Sequence, residues 1–360
     1  MKDLKELDKN FAIETNIIRE GLSFYNIDFA PFKIYGVFKE KGLYRRLPDE
    51  YAKQISEGVY EFSKQSAGGR VRFVTDSPYI VLKTKLIPGK MDHFALTGSA
   101  GFDMYAEWKN EHRYMGTFRP PVEVTDGYEA VKDFSQKIER IFTINFPLYS
   151  CVEELYIGVQ EGCILREAPE YAVNKPIVFY GSSITQGGCA SKPSSCYQSI
   201  LSRQFGFDYI NLGFSGSARG EDLMIDYIKK LDMSMFVMDY DFNAQSIEEL
   251  ENTHEKLFLA VRKSHPDIPI LILPRPNYYV TSEDERVKII ERTYKNAKDG
   301  GDDKVFYITS RKLMDVVRDN GTVDGIHPTD SGFFSMACAI AEVFEQVLPQ
   351  VNTKQKEKDR

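Results

Sequence analysis

From Ile177 to Ile308 the chain repeats one rhythm. Largely apolar runs at 177–180, 208–212, 235–240, 270–273 and 305–308 alternate with stretches long enough for a helix. Continuous apolar runs, without polar alternation, are the pattern of strands buried on both faces. Five of them separated by helical spacers predict a parallel sheet covered on both sides. The spacers carry helix signals of their own. Ser246 to Arg262 has a serine at the N-cap position and Glu249 three residues later, a capping box. Ser194 to Phe205 has helical spacing. In sheets of this kind chemistry gathers at the carboxyl ends of the strands, so the residues just after each run are the ones to inspect.

Residues before about 170 follow a different pattern. Short alternating or apolar runs at 32–37, 71–74, 79–82, 94–96, 140–144 and 154–159 are separated by turn clusters such as Pro88-Gly89-Lys90 and Arg119-Pro120-Pro121. This spacing predicts many short antiparallel strands, an all-β sandwich. Glu167 to Tyr171 reads as the linker. With 360 residues the chain exceeds one comfortable core. The predicted division is a β domain over 1–168, an α/β domain over 169–350 and a charged tail over 351–360.

Composition narrows the partners. The net charge of −7, with no long basic block, argues against a nucleic-acid surface. No stretch approaches the roughly 20 apolar residues of a membrane span. The start, Met1 to Asp8, is too charged for a signal-peptide core, so the sequence as it stands reads as cytoplasmic; removal of a leader would make it secreted or periplasmic. Five scattered cysteines favour free thiols over a disulfide framework, with Cys189 and Cys196 the one pair close enough to consider for a bridge. Neither His-Glu-x-x-His nor paired Cys-x-x-Cys occurs, so no metal is expected, and the glycines at 181–188 and 213–220 fit neither a P-loop nor Gly-x-Gly-x-x-Gly. No cofactor is expected.

The strand ends hold a consistent inventory. The first run stops at Gly181-Ser182-Ser183, the second at Asn211-Leu212-Gly213-Phe214-Ser215-Gly216, the third at Asp239-Tyr240-Asp241-Phe242-Asn243. After the last comes Asp324-Gly325-Ile326-His327-Pro328. A serine, an Asp/His pair and amide donors are the parts that acyl transfer needs: a hydroxyl to attack, an imidazole to take its proton, a carboxylate to orient the imidazole and donors for an oxyanion. Each residue also has a plainer reading. Asp324 can hold the turn at Gly325, Gly216 can be a left-handed turn residue, and Asn243 can cap the chain before Ser246.

In that order, Gly-Ser-Ser-Ile-Thr, Asn-Leu-Gly-Phe-Ser-Gly, a strand-end Asn and Asp-Gly-Ile-His-Pro resemble the four blocks of the SGNH (GDSL-type) hydrolase superfamily, over about residues 175 to 348. The Asp and His three apart separate this group from α/β-hydrolases, whose Gly-x-Ser-x-Gly elbow is absent here. The resemblance implies a flavodoxin-like three-layer α/β/α domain with Ser183 as nucleophile, His327 as general base and Asp324 as its partner. It implies an oxyanion hole made of the N–H groups of Ser183 and Gly216 and the side-chain amide of Asn243. Two departures stand out: Ser182 occupies the place of the usual Asp, and the third block reads Asp-Phe-Asn-Ala.

Gly101-Phe102-Asp103-Met104-Tyr105 resembles the Gly-x-Asp-Leu-Tyr signature of a β-rich domain that precedes certain SGNH hydrolases, with Met104 in place of Leu. This implies a jelly-roll-like sandwich fused to the catalytic domain, and relatives that deacylate carbohydrates or related small esters. Tyr105 and Trp108 are candidates for the substrate cleft, with core packing the favoured alternative. The expected function is hydrolysis of short-chain acyl esters, acetyl foremost, of a carbohydrate or related small molecule through an acyl-enzyme on Ser183. The alternatives are an acyltransferase with the same machinery and a non-catalytic carbohydrate-binding protein. Oligomeric state is not readable from the sequence.

Overall fold

The computed structural model describes residues 13–109 and 111–348. The charged start and the 351–360 tail lie outside the described residues. The second half is built as its rhythm predicts. Strands β13 (Val173–Gly181), β14 (Phe207–Gly213), β15 (Met235–Asp239), β16 (Ile270–Ile272) and β17 (Val305–Tyr307) form one parallel sheet in the order β14-β13-β15-β16-β17. Counted within this half, that order is 2-1-3-4-5, the flavodoxin-like arrangement, whose switch point lies beside the first strand.

Both faces of this sheet are dry, because the apolar strand residues alternate between two cores. Ile177 and Phe179 point to one side, where they meet Leu201, Phe333 and Ile340 from helices α5 (Tyr197–Phe205) and α10 (Asp330–Val347). Val178 and Tyr180 point to the other, against Met224, Leu257 and Ile290 from α6 (Asp222–Ile228), α7 (Ile247–Ser264) and α8 (Glu285–Asp299). The predicted cap of α7 is present: Ser246 Oγ accepts the Glu249 N–H at 3.0 Å, while the Glu249 carboxylate takes the N–H of Gln245 rather than that of Ser246.

In the first half, two antiparallel sheets share one apolar core. One runs β1 (Leu22–Asn26), β11 (Cys151–Gln160), β6 (Tyr79–Ile87), β9 (Gly127–Asp133). The other runs β12 (Leu165–Arg166), β5 (Arg70–Thr75), β10 (Arg140–Asn145), β7 (Phe102–Trp108), β8 (Glu111–Phe118), with β2 (Lys33–Tyr35) also on β5. Phe102, Met104 and Ala106 of β7 and Val71 and Phe73 of β5 point into the core. The two-residue period then sends Asp103, Tyr105, Arg70 and Arg72 to the opposite face.

Two expectations for this half are corrected. Phe94-Ala95-Leu96 is not a strand: Leu96 starts a short helix, α3 (Leu96–Ser99). Its apolar residues serve different cores, Phe94 packing on the α/β side and Leu96 on the β side, so they cannot share a sheet face. Residues 49–63 hold two helices, α1 (Asp49–Ile55) and α2 (Glu57–Ser63), inside the region read as β. Their Tyr51, Ile55, Tyr60 and Phe62 pack against the core of the α/β half. The i, i+4 spacing of Tyr51 and Ile55 and the i, i+3 spacing of Val59 and Phe62, together with Ser56 capping the Val59 N–H at 3.2 Å, are the helical signal in these residues.

Candidate active site

The loop after β13 turns at once into a single helical turn, α4 (Ser183–Gln186). Ser182 caps it, its Oγ accepting the Ile184 N–H at 3.2 Å, which gives the residue in the usual Asp position a defined task. Gly213, at the end of β14, lets this turn pack flat. A Cβ there would lie 2.2 Å from the Gln186 backbone nitrogen. Beneath the turn, the buried Asp239 carboxylate at the end of β15 accepts the Thr185 hydroxyl at 2.7 Å and the Tyr197 hydroxyl at 2.9 Å. Burial, reinforced by the nearby Asp241 and opposed by those two hydrogen bonds, pushes the Asp239 carboxyl up to about 7.

Facing Ser183 is the loop between β17 and α10. Thr322 and Pro328 bridge its base, and the Val323 N–H donates to the His327 carbonyl at 2.9 Å. Gly325 sits at φ +86°, a left-handed conformation that a side chain would strain. Asp324 works on both sides of this turn. Its Oδ1 accepts the backbone N–H groups of Ile326 and His327 at 3.0 and 2.8 Å, while Oδ2 meets His327 Nδ1 at 2.7 Å. His327 Nε2 in turn stands 2.8 Å from Ser183 Oγ. Partial burial opposes the Asp324 charge. The N–H and imidazole of His327 and the N–H of Ile326 outweigh that and hold the carboxyl at about 2. With Asp324 ionised on Nδ1, the imidazole presents an acceptor to the serine, the polarity a general base needs.

The amide donors lie on the two flanking strand ends. Gly216 has φ +65° with open space on its Cβ side. Asn243 Oδ1 accepts the Ala218 N–H at 3.3 Å, which leaves the side-chain NH2 pointing elsewhere. The competing carboxylates of that strand end are already committed: Asp239 as above, and Asp241 to the Arg275 N–H at 3.2 Å and to Arg286. The Ser183 N–H opens α4 and has no carbonyl four residues back within the helix.

The β half grips this site from outside. Asp103, of the Gly101–Tyr105 motif, is buried; it accepts the Ser194 N–H at 3.1 Å and the Ser194 hydroxyl, and the Asn145 amide at 2.8 Å. It therefore ties the loop that follows α4 to β7 and β10. Thr97 donates to the Ser191 carbonyl at 2.6 Å from α3. Buried Arg46 bonds the carbonyls of Asn211 and Gly213, clamping the strand that leads to Gly216. No motif or periodicity announced Arg46, because its partners are main-chain groups distant in sequence.

Tyr105 and Trp108 lie elsewhere than the expected cleft. Tyr105 stacks under Arg203 at 4.2 Å and opens on a separate cavity of about 220 Å³ at the seam of the two halves, with Arg70, Arg72, Glu107 and Tyr171; Ser183, Asp324 and His327 are not in its wall. Trp108 stacks with Lys109 and Arg113. The rings beside His327 are instead His93 and Phe94, at centroid distances of 5.4 and 6.4 Å, with Tyr149 behind Phe94 at 4.5 Å. All five cysteines are free thiols. Among the described residues one group of side chains could hold a metal ion: donor atoms of His93, Cys189 and His327 lie within 4.8 Å of one another. No described helix is long and apolar enough to cross a membrane.

Residues 174–348 match the sequence model described as the GDSL-like lipase/acylhydrolase family, and residues 22–165 match the one described as the N-terminus of Esterase_SGNH_hydro-type. No curated protein matches the chain. Among solved structures, one described as a GDSL-like lipase from Bacteroides ovatus superposes with a TM-score of 0.79 at 24% identity, covering 91% of this chain and 98% of the other. The salicylyl-acyltransferase SsfX3 of a tetracycline biosynthetic pathway gives 0.74 at 17% identity, over 92% and 99%. An acetyl xylan esterase, Est2A, from the rumen bacterium Butyrivibrio proteoclasticus gives 0.56 at 12% identity, over 90% and 98%. At these identities the likeness is one of fold.

Proposed function

The chain belongs to the SGNH/GDSL-type serine hydrolases, a group of esterases and acyltransferases, and on that premise we propose that it hydrolyses short acyl esters, acetyl foremost, of a carbohydrate. Ser183 Oγ attacks the acyl carbonyl while His327 Nε2 takes its proton. Asp324 fixes the tautomer and stabilises the imidazolium. The N–H groups of Ser183 and Gly216 and the Asn243 amide receive the oxyanion. His327 then protonates the sugar oxygen as its bond to the acyl carbon breaks, so that the sugar leaves as the free hydroxyl. The acyl-enzyme is opened by a water from which the same nitrogen removes a proton.

The observation that carries this reading is the unbroken chain of 2.8 and 2.7 Å contacts from Ser183 through His327 to Asp324, spanning residues 144 apart in sequence. The acetyl-sugar class draws on the neighbour described as an acetyl xylan esterase and on the absence of long apolar insertions that would build an acyl tunnel. Purified protein should release p-nitrophenol from p-nitrophenyl acetate and be labelled by a fluorophosphonate probe, and Ser183→Ala should lose both. A Ser183→Ala variant as fast as the parent would defeat the assignment.

A second reading is transfer of the acyl group to an alcohol, favoured by the 0.74 superposition on a salicylyl-acyltransferase. Product analysis with acetylated oligosaccharides, in the presence and absence of acceptor sugars, separates the two.

A further inference from the structure

The β half brings His93 to the catalytic imidazole, and the loop after α4 brings Cys189. Donor atoms of His93, Cys189 and His327 lie within 4.8 Å of one another. Tetrahedral zinc, with Zn–N of about 2.0 Å and Zn–S of about 2.3 Å, sets neighbouring donors about 3.3 to 3.6 Å apart. Closing the group therefore needs a shift of at most about 1.5 Å. His93 stands in a loop with a third of its side chain exposed, which supplies both the freedom and the entry path.

Two further observations point the same way. Each imidazole has a carboxylate on its Nδ1: Asp92 at 2.9 Å on His93 and Asp324 at 2.7 Å on His327. That carboxylate–imidazole pairing is the one that orients histidine ligands and leaves Nε2 for a metal. Cys189 is held at φ +69° between Gly188 and Ala190, a backbone conformation that favours glycine. A thiol is thus kept, against local preference, beside two imidazoles.

We infer that His93, Cys189 and His327 form a site for a thiophilic divalent cation of the zinc class, and that its occupation switches the esterase off reversibly. This rests on the esterase reading above. Both ring nitrogens of His327 are already engaged, one with Ser183 and one with Asp324, so whichever nitrogen the metal takes, the proton relay is broken. Binding forms metal–nitrogen and metal–sulfur bonds and releases the thiol proton to solvent, with no change of oxidation state.

The test uses full-length enzyme stripped with EDTA. Zinc chloride should abolish p-nitrophenyl acetate hydrolysis, and EDTA should restore it. Cys189→Ser and His93→Gln should each hydrolyse the ester normally without metal. Both should raise the inhibition midpoint at least about 10-fold, the scale on which even outer-shell partners act. Cobalt(II) in place of zinc should give a thiolate charge-transfer band that Cys189→Ser lacks, read with no substrate present. Equal midpoints in the parent and both variants, or no band in the parent, would overturn the site, and a band without inhibition would overturn the switch. A cobalt band in a parent that hydrolyses no ester would instead refute the functional reading while leaving the metal site standing.

Discussion

Replacing Asp324 by Asn tests the site at its most informative atom pair. Oδ1 of Asp324 holds two backbone N–H groups and Oδ2 holds His327 Nδ1. An asparagine cannot do both. If its oxygen keeps the two N–H groups, its NH2 faces Nδ1 and forces the tautomer with the proton on Nε2. That proton then points at Ser183 and the base is lost, at a cost of about 10⁴ in rate. If the amide flips to keep the working tautomer, two backbone N–H groups lose their acceptor and face an NH2, at about 1 to 3 kcal/mol each. The enzyme reacts through the cheaper route. The barrier therefore rises by about 2 to 6 kcal/mol, a loss of about 30-fold to about 10⁴-fold in kcat/KM. Initial rates on p-nitrophenyl acetate measure it, with circular dichroism confirming the fold. A variant that keeps more than a third of the parent kcat/KM would refute the claim that Asp324 sets the imidazole tautomer.

Asn243→Ala should lower kcat by about 10² to 10³, the effect of one oxyanion donor, with little change in KM; an unchanged kcat would remove Asn243 from the hole. Gly213→Ala drives a Cβ to 2.2 Å from the Gln186 nitrogen, so α4 must shift. Stability should fall by about 1 to 3 kcal/mol and kcat/KM by up to about 10²-fold, read by denaturant melts and initial rates. Asp239→Asn should change the pH dependence of stability. The folded carboxyl titrates at about 7 against an unfolded value of 3.8, so its charge penalises the fold. That penalty is absent below the unfolded value, grows as pH rises toward 7 and is constant above. The stability difference should therefore move in the variant's favour by up to about 4 kcal/mol between pH 4 and pH 8, and a pH-independent difference in urea melts would contradict it.

The strands of the parallel sheet were legible because a strand buried on both faces leaves no choice of residue type: Ile177 to Tyr180 must be apolar whichever core each meets. Ser183, Asp324 and His327 stand out through the resemblance of their short blocks to a known family, and the structure brings the three side chains into contact. Asp324 and His327 share one turn, and Ser183 follows a strand directly. Helices α1 and α2 carry helical spacing, but their apolar residues answer to the core of the other half, and a window on the local sequence shows no partner there. Phe94 likewise packs on the core of the α/β half, which its neighbours in sequence do not reveal.

What the sequence determined by itself is the set of local conformations that covalent neighbours enforce: a strand of continuous apolar residues, a capped helix, a turn at Gly325 between Asp324 and His327. These depend on interactions within a few residues, so the order of letters carries them. Tertiary structure alone decided which surfaces meet. It set Asp103 against Ser194, Arg46 against the carbonyls of β14, and His93 and Cys189 against the His327 imidazole. Such contacts join residues far apart in the chain, and nothing short of the packed fold fixes their distance.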